Sequence, residues 1–328
     1  MDVAVIGELN PDLILYGLPR ELAEERESLA SDFTLTLGSS AAIFAHNLAL
    51  LGNRVSFSSQ IGRDAMGQMC CEYLHKAGVD TSRVVFCRSG TGVSVILPLE
   101  TTRRILTYPG AMHEIGFADL DLEFLAQAKH LHLASPFLLK KLFPDISRLL
   151  IEMKQRGLTT SLDTNDDPEG RWEGLLDEVL PTLDVLLCTE EELGKLAKVN
   201  DASAYIAARV PVLVVKRGAR GAKAYQGRKT VEAPALSVEV VDPVGAGDSF
   251  DAGFLHQWIR QAPLEICVRF GNVAGALSVT RPGGIEAFAA AAYRESFIRE
   301  HWQSAPPAGD VFAMAQAPVR PLDTDHDK

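Results

Sequence analysis

Two glycines and an aspartate lie close together in a loop that opens a predicted helix. Gly245 and Gly247 carry no side chain, so the backbone can turn tightly there and point successive N–H groups at one place. After Asp248, apolar residues recur at intervals of three and four, which predicts a helix. The first N–H groups of a helix have no partner within it and carry partial positive charge. The loop is therefore typical of a site for an anion, above all a phosphate.

The sequence allows two interpretations of Asp248. The helix dipole favours its ionised form, and a carboxylate beside a phosphate-sized anion hole can take a proton from an attacking hydroxyl. The alternative is a simple N-capping aspartate, which is very common and which the loop alone favours. The rest of the chain has to decide between a base and a cap.

Asp12 is a second candidate for chemistry. It follows a predicted buried strand at residues 2–7, and open parallel sheets bind ligands beyond the carboxyl ends of their strands. A carboxylate there can accept hydrogen bonds from two neighbouring sugar hydroxyls. The alternative is turn chemistry beside Pro11, which would be the stronger explanation for Asp12 taken alone.

Composition excludes several classes of function. The 328 residues are 47% hydrophobic, enough for one large α/β domain, alone or with a small appendage. With 43 acidic against 32 basic residues, the net charge of −11 argues against a general binder of nucleic acid or anionic membranes, although it allows a basic pocket for ATP. The five cysteines form no Cys-x-x-Cys, which indicates a reducing cytoplasm. We expect no signal peptide and no membrane span, because no basic region precedes the first strand and no apolar run is long enough.

The pattern of elements predicts an α/β fold. From residue 119 onward helices and strands alternate, which indicates βαβ winding and a parallel sheet. The predicted helices are 119–127, 138–156 and 263–280, and the predicted strands are 129–133, 158–162, 184–188 and 211–216. The segments at 12–18 and 89–109 predict strands without helices between them, so we expect a small antiparallel sheet that forms a lid over the site. Residues 303–328 are rich in Pro, Ala and Asp, and we expect a flexible tail.

Three further patterns suggest other chemistries, but none of them is supported by the surrounding residues. The spacing of Gly62 and Gly67 imitates a P-loop, but the Lys and Ser/Thr that a P-loop requires are absent. A dinucleotide fingerprint would need glycine where Phe250 stands. His130 and His132 share one strand face, where internal hydrogen-bond partners are more usual than a metal.

Three segments resemble motifs of the ribokinase-like (phosphofructokinase-B type) carbohydrate kinases. The loop 241–248 resembles the family's Asp-Thr-x-Gly-Ala-Gly-Asp, with Pro243 in place of Thr. The family's first signature is matched by Gly38, Asn47, Ala49, Leu51 and Gly52, and then by Gly62-x-Asp64-x-x-Gly67. The resemblance covers residues 1–302 and implies a ribokinase-like three-layer α/β/α sandwich, with a mostly parallel central sheet and a small β-sheet lid.

The resemblance implies an ATP-dependent kinase that phosphorylates a hydroxyl of a sugar or sugar-like molecule. In such an enzyme Asp248 is the general base, and the amides of Gly245, Ala246 and Gly247 bind the transferring phosphate. The residues implied to bind the substrate are Asn10, Asp12, Gly38 and Ser39. The residues implied to border the nucleotide are Lys216, Gly218, Gly221, Asn272 and Ala276.

The resemblance also implies metal ions. The family motif Asn-x-x-Glu, associated with Mg²⁺, is matched by Glu192, while Thr189 replaces the Asn. A Thr cap followed by acidic residues in the first helical turn explains the same pattern, and both explanations can hold together. Asp242 and nearby carbonyl groups are implied as a site for a monovalent cation such as K⁺.

The lid residues bear on two questions, namely which substrate binds and whether the protein forms a dimer. Arg104 and Tyr108, with Arg103, can reach a polar or acidic substrate, and a solvated basic edge is the alternative. An exposed lid sheet needs its free face covered, so a homodimer through the lid is expected.

Departures from the family pattern affect the predicted substrate. Ile43 replaces an Asn that commonly contacts substrate hydroxyls, and Ser39 replaces a glycine, so plain ribose is in doubt. Two alternatives stay open: a nucleoside kinase of the same fold and a catalytically silent sugar-binding protein.

Overall fold

The computed structural model describes residues 1–22, 24–99 and 102–302, so the tail at 303–328 lies outside the described residues. In chain order the strands are β1 Val3–Ile6, β2 Pro11–Tyr16, β3 Asp32–Leu37, β4 Val55–Ile61, β5 Asp80–Phe86, β6 Val93–Pro98, β7 Arg103–Tyr108, β8 His130–Ala134, β9 Thr159–Asp163, β10 Val185–Thr189, β11 Val212–Lys216, β12 Ala222–Gln226 and β13 Lys229–Ala233. The helices are α1 Ser40–Leu50, α2 Ala65–Lys76, α3 Leu122–Leu125, α4 Ile146–Gln155, α5 Glu190–Ala197, α6 Ala202–Ala207, α7 Ala246–Trp258, α8 Leu264–Ser278, α9 Glu286–Ala289 and α10 Ala291–Trp302.

The large sheet has the strand order β13-β12-β11-β10-β9-β8-β1-β4-β5. The pairs from β11 to β5 along this order are parallel, and β12 and β13 continue the sheet antiparallel. The carboxyl ends of β1, β8, β9, β10 and β11 therefore meet at one edge. This is the edge at which parallel sheets bind ligands.

Two hydrophobic clusters sandwich this sheet, because side chains alternate between its faces. Val3 and Val5 of β1 pack in one cluster with residues from α1, α2, α7 and α8. Ala4 and Ile6 of the same strand pack in the other with residues from α3, α4, α5 and α6. The result is the three-layer α/β/α sandwich that the sequence predicted.

The small sheet has the order β3-β2-β6-β7. It includes both predicted segments, but the expectation of an entirely antiparallel sheet was wrong, because β2 and β6 are parallel. Strands β1 and β5 of the large sheet each lead into this sheet from the same edge, so β2 and β6 leave in the same direction. Strand β3, which the sequence did not assign to the lid, pairs antiparallel with β2.

One predicted helix is much shorter than expected. The pattern predicted a helix over 138–156, whereas α4 begins at Ile146 and short 3-10 turns precede it. Pro144 lies in the second of these turns. A proline within a helix removes one hydrogen bond and clashes with the preceding turn, which explains the late start of α4.

Candidate active site

The glycine loop at the start of α7 is held open by close backbone packing. Gly245 has φ +73, and a Cβ there would lie 2.5 Å from the Cα of Gly284, so only glycine fits. Ile43 packs against both glycines, with methyl groups about 3 Å from the positions that their Cβ atoms would take. Ile43, which belongs to α1, therefore supports the loop by packing against it. This packing explains why an apolar residue stands where the family pattern has Asn.

Backbone amides at this helix start are left free. The N–H groups of Gly245, Gly247 and Asp248 have no hydrogen-bond partner in the part of the chain that the structure describes, and that of Ala246 makes one long bond, 3.3 Å, to the Pro243 carbonyl. The N-cap of α7 is Gly245, which has no side chain that could bond these amides. The arrangement can therefore receive an anion without breaking protein hydrogen bonds.

Asp242 fixes the loop to its surroundings. Its carboxylate accepts hydrogen bonds from the amides of Val244 and Gly283, both at 2.9 Å, and from the Tyr16 hydroxyl at 3.1 Å. Tyr16 belongs to β2, so this one side chain joins the loop, the segment after α8 and the small sheet. A cation that bound directly to Asp242 would share oxygens that already accept these bonds.

Three buried carboxyl groups of the site lie close enough to influence one another's pKa. Burial, followed by the charge of Asp163, raises the pKa of Asp248 to about 6, while Lys216 and Arg103 act in the opposite direction. Burial, followed by the charge of Asp248, raises the pKa of Asp12 to about 7. Asp12 is 6% exposed and Asp248 is 9% exposed, so both carboxyl groups are largely shielded from bulk water. A base with a pKa near 6 is well matched to proton transfer at neutral pH.

Glu8 is the third of these groups, and the sequence analysis did not identify it. Burial raises its pKa to about 7. One carboxylate oxygen accepts hydrogen bonds from the Ser40 amide at 3.1 Å and the Ser135 hydroxyl at 3.0 Å. The other oxygen is buried and has no partner among the described residues. Glu8 lies two residues beyond the end of β1, which was the available signal, but this position alone does not reveal which way the side chain turns.

The predicted substrate residues lie around Asp12. A Cβ on Gly38 would lie 2.1 Å from the Asp12 carboxylate, so glycine is required for this side chain to fit. The Asn10 amide donates to the Pro11 carbonyl at 3.0 Å and lies 3.4 Å from the Ser94 hydroxyl. Ser39 has φ +68, and its hydroxyl donates to the Glu8 carbonyl while it accepts from the Ala42 amide as the N-cap of α1. The Ser39 hydroxyl is thus already engaged by the protein.

Arg104 and Tyr108 are not brought to Asp12. The Thr107 hydroxyl lies 3.0 Å from that of Ser94, which is paired with Asp12, so these three residues share one face of the small sheet. Arg104 and Tyr108 occupy the alternate positions of β7 and lie on the opposite face. Arg103 shares the face of Asp12, and its charge lowers the pKa of both Asp12 and Asp248.

The predicted nucleotide residues fall into two groups. Asn272 donates to the carbonyls of Ala233 and Pro234, both at 3.0 Å, and a Cβ on Gly221 would lie 2.1 Å from the same Ala233 carbonyl. Gly218 begins the turn that leads to Gly221, and Ala276 lies one helical turn beyond Asn272 on α8. These residues form a wall beside the end of β13.

Lys216 lies apart from that wall, beneath the glycine loop. Its ammonium donates to Asp163 at 2.9 Å and to Asp251 at 2.8 Å, and all three side chains are buried. Although burial lowers the pKa of Lys216, the charges of Asp163 and Asp251 hold it well above its usual value. Asp251 was missed by the sequence analysis, although an acidic residue within the apolar run of α7 was a usable signal.

Glu192 forms the capping hydrogen bonds that were one of the two explanations left open by the sequence. Its Oε2 accepts from the Thr189 amide at 2.8 Å and the Thr164 hydroxyl at 3.1 Å, and Thr189 Oγ1 accepts from the Glu192 amide in return. This is a capping box at the start of α5. Oε1 of Glu192 accepts no hydrogen bond from the described residues, so it fits a contact with a water of a hydrated Mg²⁺.

Comparison with known proteins agrees with the fold and shows the family. The family model described as pfkB family carbohydrate kinase matches residues 1–291. An ATP-dependent ribose-1-phosphate kinase of Halopiger xanaduensis is 30% identical over 253 residues, which are 75% of this chain and 81% of that protein. A 5-dehydro-2-deoxygluconokinase of Geobacillus kaustophilus is 24% identical over 321 residues, 92% of this chain and 94% of that protein.

A solved structure extends the likeness to three dimensions. The structure of a candidate ribokinase II from E. coli, in complex with ATP and Mg²⁺, has a TM-score of 0.78 and covers 92% of this chain and 99% of its own. At 23% identity this likeness shows the fold alone. The predicted fold class is confirmed.

The raised pKa of Asp248 predicts a stability change with pH. The folded carboxyl holds its proton up to about pH 6, whereas an unfolded one releases it near 3.8, so the ionised side chain destabilises the fold increasingly between those values and fully above them. We expect Asp248→Asn to be more stable than the parent at pH 8 by about 1–3 kcal/mol. The difference should shrink towards pH 4, and urea denaturation at both pH values measures it.

The matched control is Asp201→Asn, because Asp201 caps α6 through its bond to the Ala204 amide and lies on the surface. Asparagine caps about as well as aspartate, so this variant should unfold like the parent. An Asp248→Asn protein that is less stable than the parent at pH 8 would contradict the assigned electrostatic strain.

Proposed function

Because the chain belongs to the pfkB family of carbohydrate kinases, we propose that it transfers the terminal phosphoryl group of ATP to a hydroxyl of a sugar or sugar-like molecule, with Asp248 as general base. The observation that carries this proposal is the free amide cluster at Gly245, Gly247 and Asp248, directly beside a buried carboxylate of pKa about 6. An N-cap role for Asp248 is disfavoured, since the N-cap of α7 is Gly245 and Asp248 is the third residue of the helix.

In the proposed reaction, different groups position the substrate and stabilise the developing charge. Asp12, fixed by Gly38 and Asn10, accepts hydrogen bonds from the substrate and orients the acceptor hydroxyl. Asp248 takes the hydroxyl proton as the new oxygen–phosphorus bond forms and the bond to ADP breaks. The free amides at the start of α7 receive the charge that develops on the transferring oxygens.

The proposal also includes sites for magnesium and for the nucleotide. Glu192 would hold a hydrated Mg²⁺ through its free Oε1, and that ion supplies charge neutralisation for the nucleotide phosphates. The wall formed by Gly218, Gly221, Asn272 and Ala276 would border the adenine. A monovalent cation at Asp242 stays a prediction, and equal activity in K⁺ and in a bulky organic cation would remove it.

The central test is ADP release from a substrate panel by the parent and by Asp248→Asn. The panel contains ribose, ribose 1-phosphate, fructose, 5-dehydro-2-deoxygluconate, 2-keto-3-deoxygluconate, tagatose 6-phosphate and adenosine. We expect at least one sugar to release ADP, and Asp248→Asn to lower that turnover by roughly 10²–10⁴ because the base is lost. Parent activity should also fall as the pH drops through about 6, where Asp248 takes up its proton.

The control and the contradicting outcomes separate the alternatives. Asp201→Asn should keep parent turnover, since Asp201 is a surface cap remote from the loop. Activity with adenosine alone would favour the nucleoside kinase, and no ADP release with any compound would favour a silent sugar-binding protein. Near-normal turnover by Asp248→Asn would refute the proposed base.

Arg103 and Arg104 form a natural matched pair for substrate recognition. Only Arg103 shares the sheet face of Asp12, and it has no ion pair within the described residues. We expect Arg103→Ala to raise KM at least about tenfold for substrates that carry phosphate or carboxylate, through loss of a charge-assisted contact. Arg104→Ala should leave KM unchanged, and steady-state kinetics with a neutral and an anionic sugar compare them. Equal effects of both variants would contradict the assignment of faces.

The outer face of the small sheet supports the proposed homodimer. Phe33, Leu106 and Tyr108 are 64%, 53% and 57% exposed on a sheet whose edge strands are β3 and β7. Burying such a face against a second copy removes apolar area from water. We expect a dimer in sedimentation velocity, and Leu106→Glu should yield monomers, whereas Ile151→Glu, on exposed α4 surface, should stay dimeric. A monomeric parent protein would refute the dimer.

The cytoplasm is the proposed compartment. All five cysteines are free thiols, which suits a reducing environment. Within the described residues no helix combines the length and the apolar character needed to cross a membrane.

A further inference from the structure

Lys216 stands out among the buried groups because it is a cation at the start of a helix. Its ammonium lies 3.4 Å from the position that a Cβ on Gly247 would take, next to a residue whose amide is free. Two of its three N–H donors are bonded, at 2.9 Å to Asp163 and at 2.8 Å to Asp251. The third has no hydrogen-bond partner in the described part of the chain, although the Lys216 side chain is only 9% exposed.

This placement is unfavourable for the empty protein. The start of a helix carries partial positive charge, which repels an ammonium, and taking an ammonium out of water carries a large penalty. The two carboxylates compensate for this, but each keeps one buried oxygen, Asp163 Oδ1 and Asp251 Oδ1, without a partner among the described residues. Apolar residues in place of all three side chains would fill the same space without these unsatisfied groups.

The cation becomes favourable when an anion occupies the hole above it. The free amides and the ammonium then act on the same negative charge from adjacent positions. Because Lys216 is already desolvated and held from two sides, little reorganisation is needed when that charge develops. The placement of Lys216 at the start of the helix is therefore favourable only when the phosphoryl group is bound.

We propose that Lys216 forms the charged floor of the anion hole, and that Asp163 and Asp251 are positioning residues that hold its ammonium beneath Gly247. The inference rests on the proposed function, because it deepens the role of the same loop. Lys216 thus serves the transferring phosphoryl group instead of bordering the nucleotide with Asn272 and Gly221. Asp163 reaches it from the end of β9 and Asp251 from the second turn of α7, so the ion group also ties α7 to the sheet edge.

Glycine at 247 follows from the same geometry. Any side chain at this position would begin in van der Waals contact with the ammonium and would shield it from the hole. Gly247 thus exposes both its own amide and the charge below it.

The test removes the charge and measures an anion directly. In Lys216→Gln the neutral amide can still donate to a carboxylate, and in Lys216→Met/Asp251→Asn one acid is neutralised together with the lysine. Inorganic phosphate is the probe, and its dissociation constant is measured by calorimetry on the full-length protein. We expect both variants to bind phosphate at least tenfold more weakly, and kcat to fall about 10²-fold with the sugar KM within about twofold.

The outcomes separate this inference from a structural role and from the kinase proposal. A purely structural Lys216 would lower the thermal midpoint of both variants while the folded protein kept parent phosphate affinity and kcat, which would overturn the inference. Lys195→Met is the matched control, since Lys195 pairs with Glu191 on an exposed helix surface and should leave every readout unchanged. Should one variant fail to fold, phosphate affinity of the other decides. If no sugar releases ADP in the parent but phosphate binding still depends on Lys216, the inference stands and the kinase proposal fails.

Discussion

Negative charge concentrated at one edge of a parallel sheet is the constraint on which the site depends. Glu8, Asp12, Asp248, Asp163 and Asp251 are all buried there, with Lys216 as the buried cation among them. Burial and mutual repulsion raise the pKa values of Glu8, Asp12 and Asp248 towards neutrality. In water such a cluster would spread apart, so the sheet and the start of α7 must hold it together.

Holding these groups together lowers the stability of the fold, and it also gives them pKa values that suit proton transfer. An aspartate with a pKa near 6 is ionised at neutral pH yet still basic enough to accept a proton. The free amides at Gly245, Gly247 and Asp248 show the same conflict, because unpaired backbone donors weaken a fold unless a ligand or water satisfies them. Interactions around the loop offset both destabilising effects. Among them are the close packing of Gly245 against Gly284 and the three hydrogen bonds accepted by Asp242.

The departures from the family motifs acquire different physical meanings in the structure. Ile43 is 2% exposed and packs against the glycine loop. The apolar residue in place of the family's Asn is therefore explained by this packing and not by a substrate contact. Ser39 adopts a positive φ that normally favours glycine, and its hydroxyl is engaged with Glu8 and Ala42. Thr189 takes over the capping function at the start of α5 and leaves one oxygen of Glu192 available.

The sequence by itself determined the fold class, the chain position of the glycine loop at the start of α7 and the capping motif at Glu192. These are local matters, since loop glycines, helix periodicity and short motifs act through residues close in the chain. Only the tertiary structure decided which distant side chains meet: Glu8 with Ser135, Lys216 with Asp163 and Asp251, and Arg103 on the face of Asp12. The direction of β6 depended on how the small sheet joins the large one, and the pairing register of β2, β6 and β7 decided the face on which Arg104 and Tyr108 lie. Such pairings follow from sheet order and register, which connect residues far apart in sequence and leave no periodic signal in the chain.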